Sequence, residues 1–190
     1  MKKGILIIFI LFILILVSCF LLDKIRNRQE NTILALKSKI VPLTFVLEQD
    51  GSNIIIEYSF KDLVGNTVYT GKDSLRGKEL FIDCIVKEFN SETKLAFPVV
   101  FYSDVVAAID GIQIAELYNN SGFPEIYRGV DANTVQKITK MYSSVLDLTD
   151  DKKAFRSSPH VVATKGKVAY QLLLRVRGGL EITQDDNYGQ

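Results

Sequence analysis

The chain of 190 residues carries 23 Lys and Arg against 22 Asp and Glu, with two cysteines and one histidine. From residue 41 onward 16 basic residues face 20 acidic ones, and this balance argues against nucleic-acid binding, which needs concentrated positive charge to displace counterions from phosphates. Two cysteines, one of them in an apolar leader, exclude a disulfide framework and a cysteine-based metal knuckle.

The leader, residues 1–22, reads MKKGILIIFILFILILVSCFLL and has two interpretations. As a helix, the apolar run of residues 5–22 would rise by about 27 Å, close to the ~30 Å hydrocarbon core of a bilayer. This length predicts an uncut transmembrane anchor. The shorter run of residues 5–17 also suits the apolar region of a signal peptide.

The end of the leader, Leu16-Val17-Ser18-Cys19, resembles the bacterial lipobox. This resemblance implies cleavage before Cys19 and lipidation of its thiol, which makes Cys19 the lipidation candidate. In the uncut alternative the basic residues after the leader favour a cytoplasmic domain, although signal-like anchors translocate long domains despite flanking charge. In both cases we expect contact with membrane lipid through the N-terminus. We predict a protein of the bacterial cell membrane with an extracytoplasmic domain.

Residues 23–41 keep helical spacing up to Pro42 and predict a helical stalk. Residues 42–182 predict one α+β domain, in which a mostly antiparallel sheet packs against one amphipathic helix. Apolar residues alternate in LTFVLEQ and NIIIEYSF, and the Asp50-Gly51 turn between them predicts a β-hairpin. The strand ELFIDCIVKEF would bury Cys84, and Pro98 in LAFPVVFYS favours an edge or a bulge.

Toward the C-terminus the sequence predicts one helix, a second hairpin and a disordered tail. The helix, NTVQKITKMYSSVLDL, has Asn133 as its N-cap and Gln136 completing a capping box. The segments HVVAT and VAYQLLLRVR flank the turn KGK and predict the two arms of the hairpin. Residues 183–190 lack an apolar period, which predicts disorder.

The sequence contains no recognisable catalytic set. His160 stands alone at the entry of a strand, and no GxSxG, GxxxxGK[ST], GxGxxG or DxDxDG spacing occurs. We therefore predict a protein that is not an enzyme, binds no metal and carries no cofactor.

The aromatic segment ELYNNSGFPEIYRGVD, residues 116–131, has two interpretations. It places Tyr118, Phe123, Tyr127 and Arg128 among turn-forming residues, and loops with aromatic residues and arginine are common recognition sites. This pattern predicts a loop that binds a protein partner in the envelope. The alternative is a hydrophobic plug between a strand and the helix.

The layout of a membrane helix, a charged stalk and a late VDANT before a helix resembles that of the small FMN-carrying subunits of membrane electron-transport complexes. Those proteins attach flavin to the threonine of an S/T-G-A-T motif, whereas Thr134 here follows VDAN without the Gly-Ala pair. The resemblance implies a redox or flavin-associated subunit without covalent flavin as an alternative function. The principal expectation is a non-catalytic binding, accessory or assembly factor, and a structural lipoprotein is the third.

Overall fold

The computed structural model describes residues 13–22, 36, 39–147, 154–175 and 179–186. The chain divides into two compact units, Met1–Ala35 and Leu36–Gln190. The described part is mostly antiparallel sheet with two helices, which confirms the α+β prediction at this level. Within these residues no helix combines the length and the hydropathy that a membrane crossing requires. The predicted stalk lies almost entirely outside the described residues.

The described helices are α1, at residues 13–22, and α2, Ala132–Leu146. The strands are β1 Ile40–Asp50, β2 Asn53–Lys61, β3 Thr67–Arg76, β4 Glu79–Glu88, β5 Lys94–Ser103, β6 Ile112–Gln113, β7 Asn119–Asn120, β8 Phe123–Pro124, β9 Ala154–Ser157, β10 His160–Val162, β11 Val168–Leu174 and β12 Leu180–Gln184. Three short 3-10 turns, Ala108–Asp110, Ala115–Tyr118 and Glu125–Tyr127, lie between β5 and α2 in the chain.

The first sheet has the strand order β12-β11-β1-β2-β3, and all of its strands pair antiparallel. The predicted hairpin of β1 and β2 is confirmed, and Gly51 takes a φ of +59° at its turn, a conformation that glycine adopts without steric cost. β1 begins at Ile40, inside the predicted stalk. The sequence predicted that a disordered tail begins at residue 183. Thr183 and Gln184 instead pair with β11 and belong to β12. Residues 187–190 lie outside the described part.

The second sheet has the order β10-β4-β5-β6, and β9 also pairs with β4. The predicted hairpin of HVVAT with VAYQLLLRVR is wrong, since β10 pairs with β4 while β11 pairs with β1. The Ala163 N–H donates to the Lys78 carbonyl at 2.8 Å, and the next carbonyl, that of Thr164, accepts from the Gln49 N–H at 2.7 Å. The chain therefore crosses from one sheet to the other at this point instead of reversing.

Both sheets contribute to one hydrophobic core, whereas the sequence predicted a single sheet. The Tyr58 ring of β2 meets the Phe101 ring of β5 edge to face, with centroids 5.1 Å apart. Cys84 is fully buried in this core, as predicted, and burial raises the pKa of its thiol well above the ordinary value. It therefore serves as a small apolar side chain.

Helix α2 covers part of the second sheet, and its N-cap is Asp131 rather than the predicted Asn133. The Asp131 carboxylate accepts hydrogen bonds from the backbone N–H groups of Asn133 and Thr134 at 2.9 and 3.0 Å, which satisfies donors that the first turn leaves unpaired. A carboxylate also complements the positive end of the helix dipole. The buried Tyr142 ring packs against Phe97 of β5, so the apolar face of the helix lies on that strand.

Candidate functional site

The predicted binding loop is a compact segment whose two tyrosines face inward. It consists of two 3-10 turns around the small hairpin of β7 and β8. Tyr118 and Tyr127 are 1% and 0% exposed, and Phe123 packs partly buried against the core. The Arg128 side chain is 49% exposed. The burial of the two tyrosines matches the plug alternative. Partner binding through the loop stays a prediction, and it concerns the exposed Arg128 side chain and the surface around it.

The two buried tyrosines close the part of the β5 edge that β6 leaves free. The Tyr127 hydroxyl accepts a hydrogen bond from the Ala96 N–H at 2.9 Å and donates to the Ala96 carbonyl at 2.8 Å. The Tyr118 hydroxyl donates to the Pro98 carbonyl at 2.7 Å. Pro98 has no N–H to leave unpaired at this edge, and the strand register shifts beside it, which confirms the prediction of an edge or a bulge. Two side-chain hydroxyls thus take the place of a neighbouring strand.

Arg128 joins the loop to the turn between β2 and β3 through a buried carboxylate. Its Nε and Nη2 atoms donate to Oδ2 of Asp62 at 3.1 and 2.9 Å, while the backbone N–H groups of Val64 and Asn66 donate to Oδ1. The Asp62 side chain is 1% exposed. Burial alone would raise the pKa of Asp62, but the hydrogen bonds it accepts outweigh burial, and the pKa lies below its ordinary value of 3.8. Arg128 therefore fixes the loop to the first sheet.

Cys19 and Thr134, the two positions tied to covalent modification, both lie in helices. Cys19 is exposed in α1, as are the other described residues of that helix, and its lipidation stays a prediction. Thr134 lies in the first turn of α2, where its hydroxyl donates to Oδ2 of Asp131 at 2.7 Å. The Thr134 hydroxyl is therefore engaged in capping the helix.

A surface that the sequence did not predict lies on the second sheet. Rings from three neighbouring strands stack across it: Tyr102 of β5, Phe81 of β4 and His160 of β10. The ring centroids are 5.0 Å apart in both contacts, with interplanar angles of 17° and 24°. Tyr102 and Phe81 are half-buried, and His160 is exposed. We call these three residues the aromatic ladder, and the His160 ring ends it at the edge of the sheet.

A buried carboxylate supports the strand that carries His160. Asp83 of β4 is 3% exposed and accepts hydrogen bonds from Nη1 of Arg156 at 2.8 Å and from the Ser158 hydroxyl at 3.1 Å. The Arg156 side chain is 59% exposed, so its guanidinium group is fixed on one side and open to solvent on the other. We call residues 154–162, which comprise β9 and β10, the open edge.

Distance along the chain explains why sequence reasoning missed this surface. Asp83 and Arg156 are 73 positions apart, and no local pattern marks them as partners. The available signal was the alternation of Arg156, Ser158 and His160 in RSSPH, which places all three on one face of an extended strand. The hairpin prediction assigned that strand to the wrong neighbour, so the signal was not used.

The open edge and the aromatic ladder suit binding. An exposed imidazole and a guanidinium group held by a carboxylate provide planar surfaces for stacking and cation–π contacts. Among the described residues no group of three or more His, Cys, Asp and Glu side chains has the arrangement of a metal site. The outer backbone groups of an edge strand provide hydrogen bonds to an added strand. The surface therefore fits a macromolecule with an extended segment.

Replacing Tyr127 with Phe should destabilise the domain, because the Ala96 N–H and carbonyl would both lose a partner in the core. We expect the free energy of unfolding, measured by urea denaturation, to fall by about 1–3 kcal/mol. The control is Tyr69→Phe, since Tyr69 is partly buried against the same core and its hydroxyl has no hydrogen-bond partner among the described residues. Equal losses in the two variants would contradict the role assigned to the Tyr127 hydroxyl.

Replacing Asp62 with Asn should lower the free energy of unfolding at pH 7 by about 1–3 kcal/mol, because Arg128 loses its charged acceptor. The folded state lowers the Asp62 pKa, so the stabilisation is present above the unfolded value of about 4 and is lost as the pH falls through the folded value. Urea unfolding at pH 7, 5 and 3 should therefore show that the difference in free energy of unfolding between the natural chain and Asp62→Asn becomes smaller as the pH falls. Asp110→Asn, at an exposed aspartate, is the control, and a difference as large at pH 3 as at pH 7 would refute the assignment.

Comparison with known proteins provides no relative from which a function could be transferred. No protein-family model, curated protein or solved structure matches the chain.

Proposed function

We propose that the chain is a membrane-anchored binding protein of the bacterial envelope, acting as a non-catalytic accessory or assembly factor with its domain outside the cytoplasm. In this proposal the N-terminal segment attaches the protein to membrane lipid. The open edge and the aromatic ladder form the docking surface for a protein partner.

The exposed apolar side chains of α1 support anchoring. Their exposed fractions run from 44% for Ile13 to 71% for Phe20. Apolar surface in water costs roughly 25 cal/mol per Å², and this cost disappears when the same side chains enter the hydrocarbon of a bilayer. Both interpretations of the leader, an uncut helix and a signal cleaved before Cys19, are consistent with this observation.

The outer side of the open edge carries the binding part of the proposal. No described residue pairs with that side of β9 or β10. Two large apolar side chains are exposed on the same strands, Phe155 at 42% and Val162 at 53%. An edge strand that is unpaired and carries exposed apolar side chains is a template for another chain, so a protein partner is the ligand class that this surface favours.

The full-length protein, made in a bacterial host with its own leader, should remain with the membrane after a carbonate wash. Intact mass then distinguishes the two forms of attachment. A chain that begins at Cys19 and carries added acyl mass is a lipoprotein, and an uncut chain is a transmembrane anchor. Cys19→Ala removes the acyl mass only in the first case, while it keeps the apolar run in both.

Protease added to spheroplasts tests the orientation, and digestion of the domain is the expected result. A cytoplasmic marker protein that survives the same treatment is the control for lysis. Release of both the natural and the Cys19→Ala protein by carbonate would contradict anchoring. A domain protected until the cells are lysed would contradict the extracytoplasmic location.

A further inference from the structure

The backbone groups on the outer side of the open edge belong to alternate residues. Two hydrogen bonds fix the alternation: the Ile82 N–H donates to the Pro159 carbonyl at 3.0 Å, and the Ala163 N–H donates to the Lys78 carbonyl at 2.8 Å. Odd-numbered residues of this strand therefore direct their backbone groups toward β4. The outward groups are those of Ala154, Arg156, Ser158, His160 and Val162.

Pro159 does not interrupt this outer edge. Its carbonyl faces β4, so its nitrogen faces β4 as well, and the missing N–H removes a bond inside the sheet. The registers of β9 and β10 along β4 are continuous with each other, with Ser157 opposite Cys84 and His160 opposite Phe81. The edge is therefore a segment of nine residues, 154–162, in one continuous register along β4, with an outward donor and acceptor at every second position.

The side chains along the open edge leave it accessible. Arg156, Ser158, His160 and Val162 are all exposed. Edge strands are usually protected by short length, proline at outward positions, bulges or a covering element. Among the described residues no outward proline, bulge or covering element protects the open edge, although β9 and β10 are short and Arg156 adds a charge, whereas tyrosine hydroxyls close part of the edge of β5.

We infer that a second copy of this chain pairs with the open edge, antiparallel and centred on Ser158. The inference deepens the proposed function, on which it rests, by naming the protein that docks on this surface. A two-fold axis at Ser158 places Arg156 opposite His160 of the other copy and Ala154 opposite Val162. All of these residues have outward backbone groups, so the pairing forms up to about ten inter-strand hydrogen bonds.

The side chains that meet across this pairing are complementary. On one face of the joined sheet, each Arg156 guanidinium lies beside the His160 ring of the other copy, where a planar cation can stack on an aromatic face. Asp83 already fixes the guanidinium, so little side-chain entropy remains to be lost. The aromatic ladder of each copy would then continue into an arginine of its partner. Such reciprocal matching is what an interface with two-fold symmetry requires.

Disulfide trapping in the native membrane tests this register. Opposed residues in a hydrogen-bonded antiparallel pair have Cα atoms about 5.5 Å apart, within the roughly 4.4–6.8 Å that a disulfide spans. Full-length Ser158→Cys should therefore form a covalent dimer under mild oxidation. Ser74→Cys, at an exposed serine on the edge strand β3 of the other sheet, and the natural chain are the controls. Dimer yields no higher than in these controls would overturn the inference.

A matched pair of substitutions at His160 tests the contact with Arg156. His160→Lys and His160→Glu both remove the ring, but lysine faces a like charge in the other copy while glutamate faces an opposite one. In the Ser158→Cys background we expect a dimer yield up to about fivefold lower with lysine than with glutamate, since an exposed ion pair changes affinity by at most about that factor. Equal yields, or the reverse order, would refute the register.

The outcomes separate this inference from the proposed function. If the protein stays in the membrane yet Ser158→Cys gives no excess dimer, the second copy is excluded as the partner and anchoring stands. If Ser158→Cys instead forms a mixed disulfide with a different protein, the inference is overturned and the docking surface is retained. Loss of membrane attachment would count against the proposed function, independently of the dimer yield.

Discussion

Every backbone N–H and carbonyl at the edge of a buried strand needs a hydrogen-bond partner, and the structure depends on how β5 meets this requirement. β5 is buried on both faces, so water cannot supply the missing bonds at Ala96 and Pro98. The hydroxyls of Tyr127 and Tyr118 supply them. The segment that carries both tyrosines must therefore lie along β5, and the chain enters α2 from that position. The helix is held in place by the same constraint, because the Tyr142 hydroxyl donates to the Ala115 carbonyl.

Two buried aspartates attach arginines to the body of the domain in similar ways. Asp62 binds Arg128 and Asp83 binds Arg156. In each pair the carboxylate is almost completely buried, while the arginine side chain is 49% exposed at Arg128 and 59% at Arg156. Such a carboxylate is acceptable in the interior only because several donors surround it. The arrangement holds a normally flexible cation in one place at the surface, at the rim of the aromatic loop in one case and at a sheet edge in the other.

The sequence predicted what depends on local pattern. Alternating apolar residues and the Asp50-Gly51 turn identified the β1–β2 hairpin, and Pro98 marked the edge and bulge of β5. The amphipathic stripe identified α2 within two residues at each end. Its cap was misplaced, since Asn133 is also a good capping residue and only the carboxylate of Asp131 reaches the first turn.

What depends on non-local pairing was not predicted from the sequence. KGK resembles a hairpin turn, yet the strands on either side of it join different sheets, because alternation shows that a segment is a strand and not which strand it pairs with. For the same reason the two sheets were taken for one. The tyrosines of the aromatic segment had two interpretations, and the choice between them depended on the free edge of β5. The surface at His160 required the pairing of β10 with β4.

The burial of Cys84 gives the two cysteines of the chain very different reactivities. Pro159 cannot return a hydrogen bond to Ile82, and the Cys84 thiol lies 3.7 Å from the Ile82 carbonyl, to which it donates. Buried and protonated there, Cys84 is a poor nucleophile, so fast maleimide labelling of the folded, detergent-extracted chain reports a Cys19 thiol that carries no lipid. The labelling stoichiometry of the intact chain thus reports the chemical state of the leader. Slow labelling of Cys84, in turn, records how often the second sheet opens.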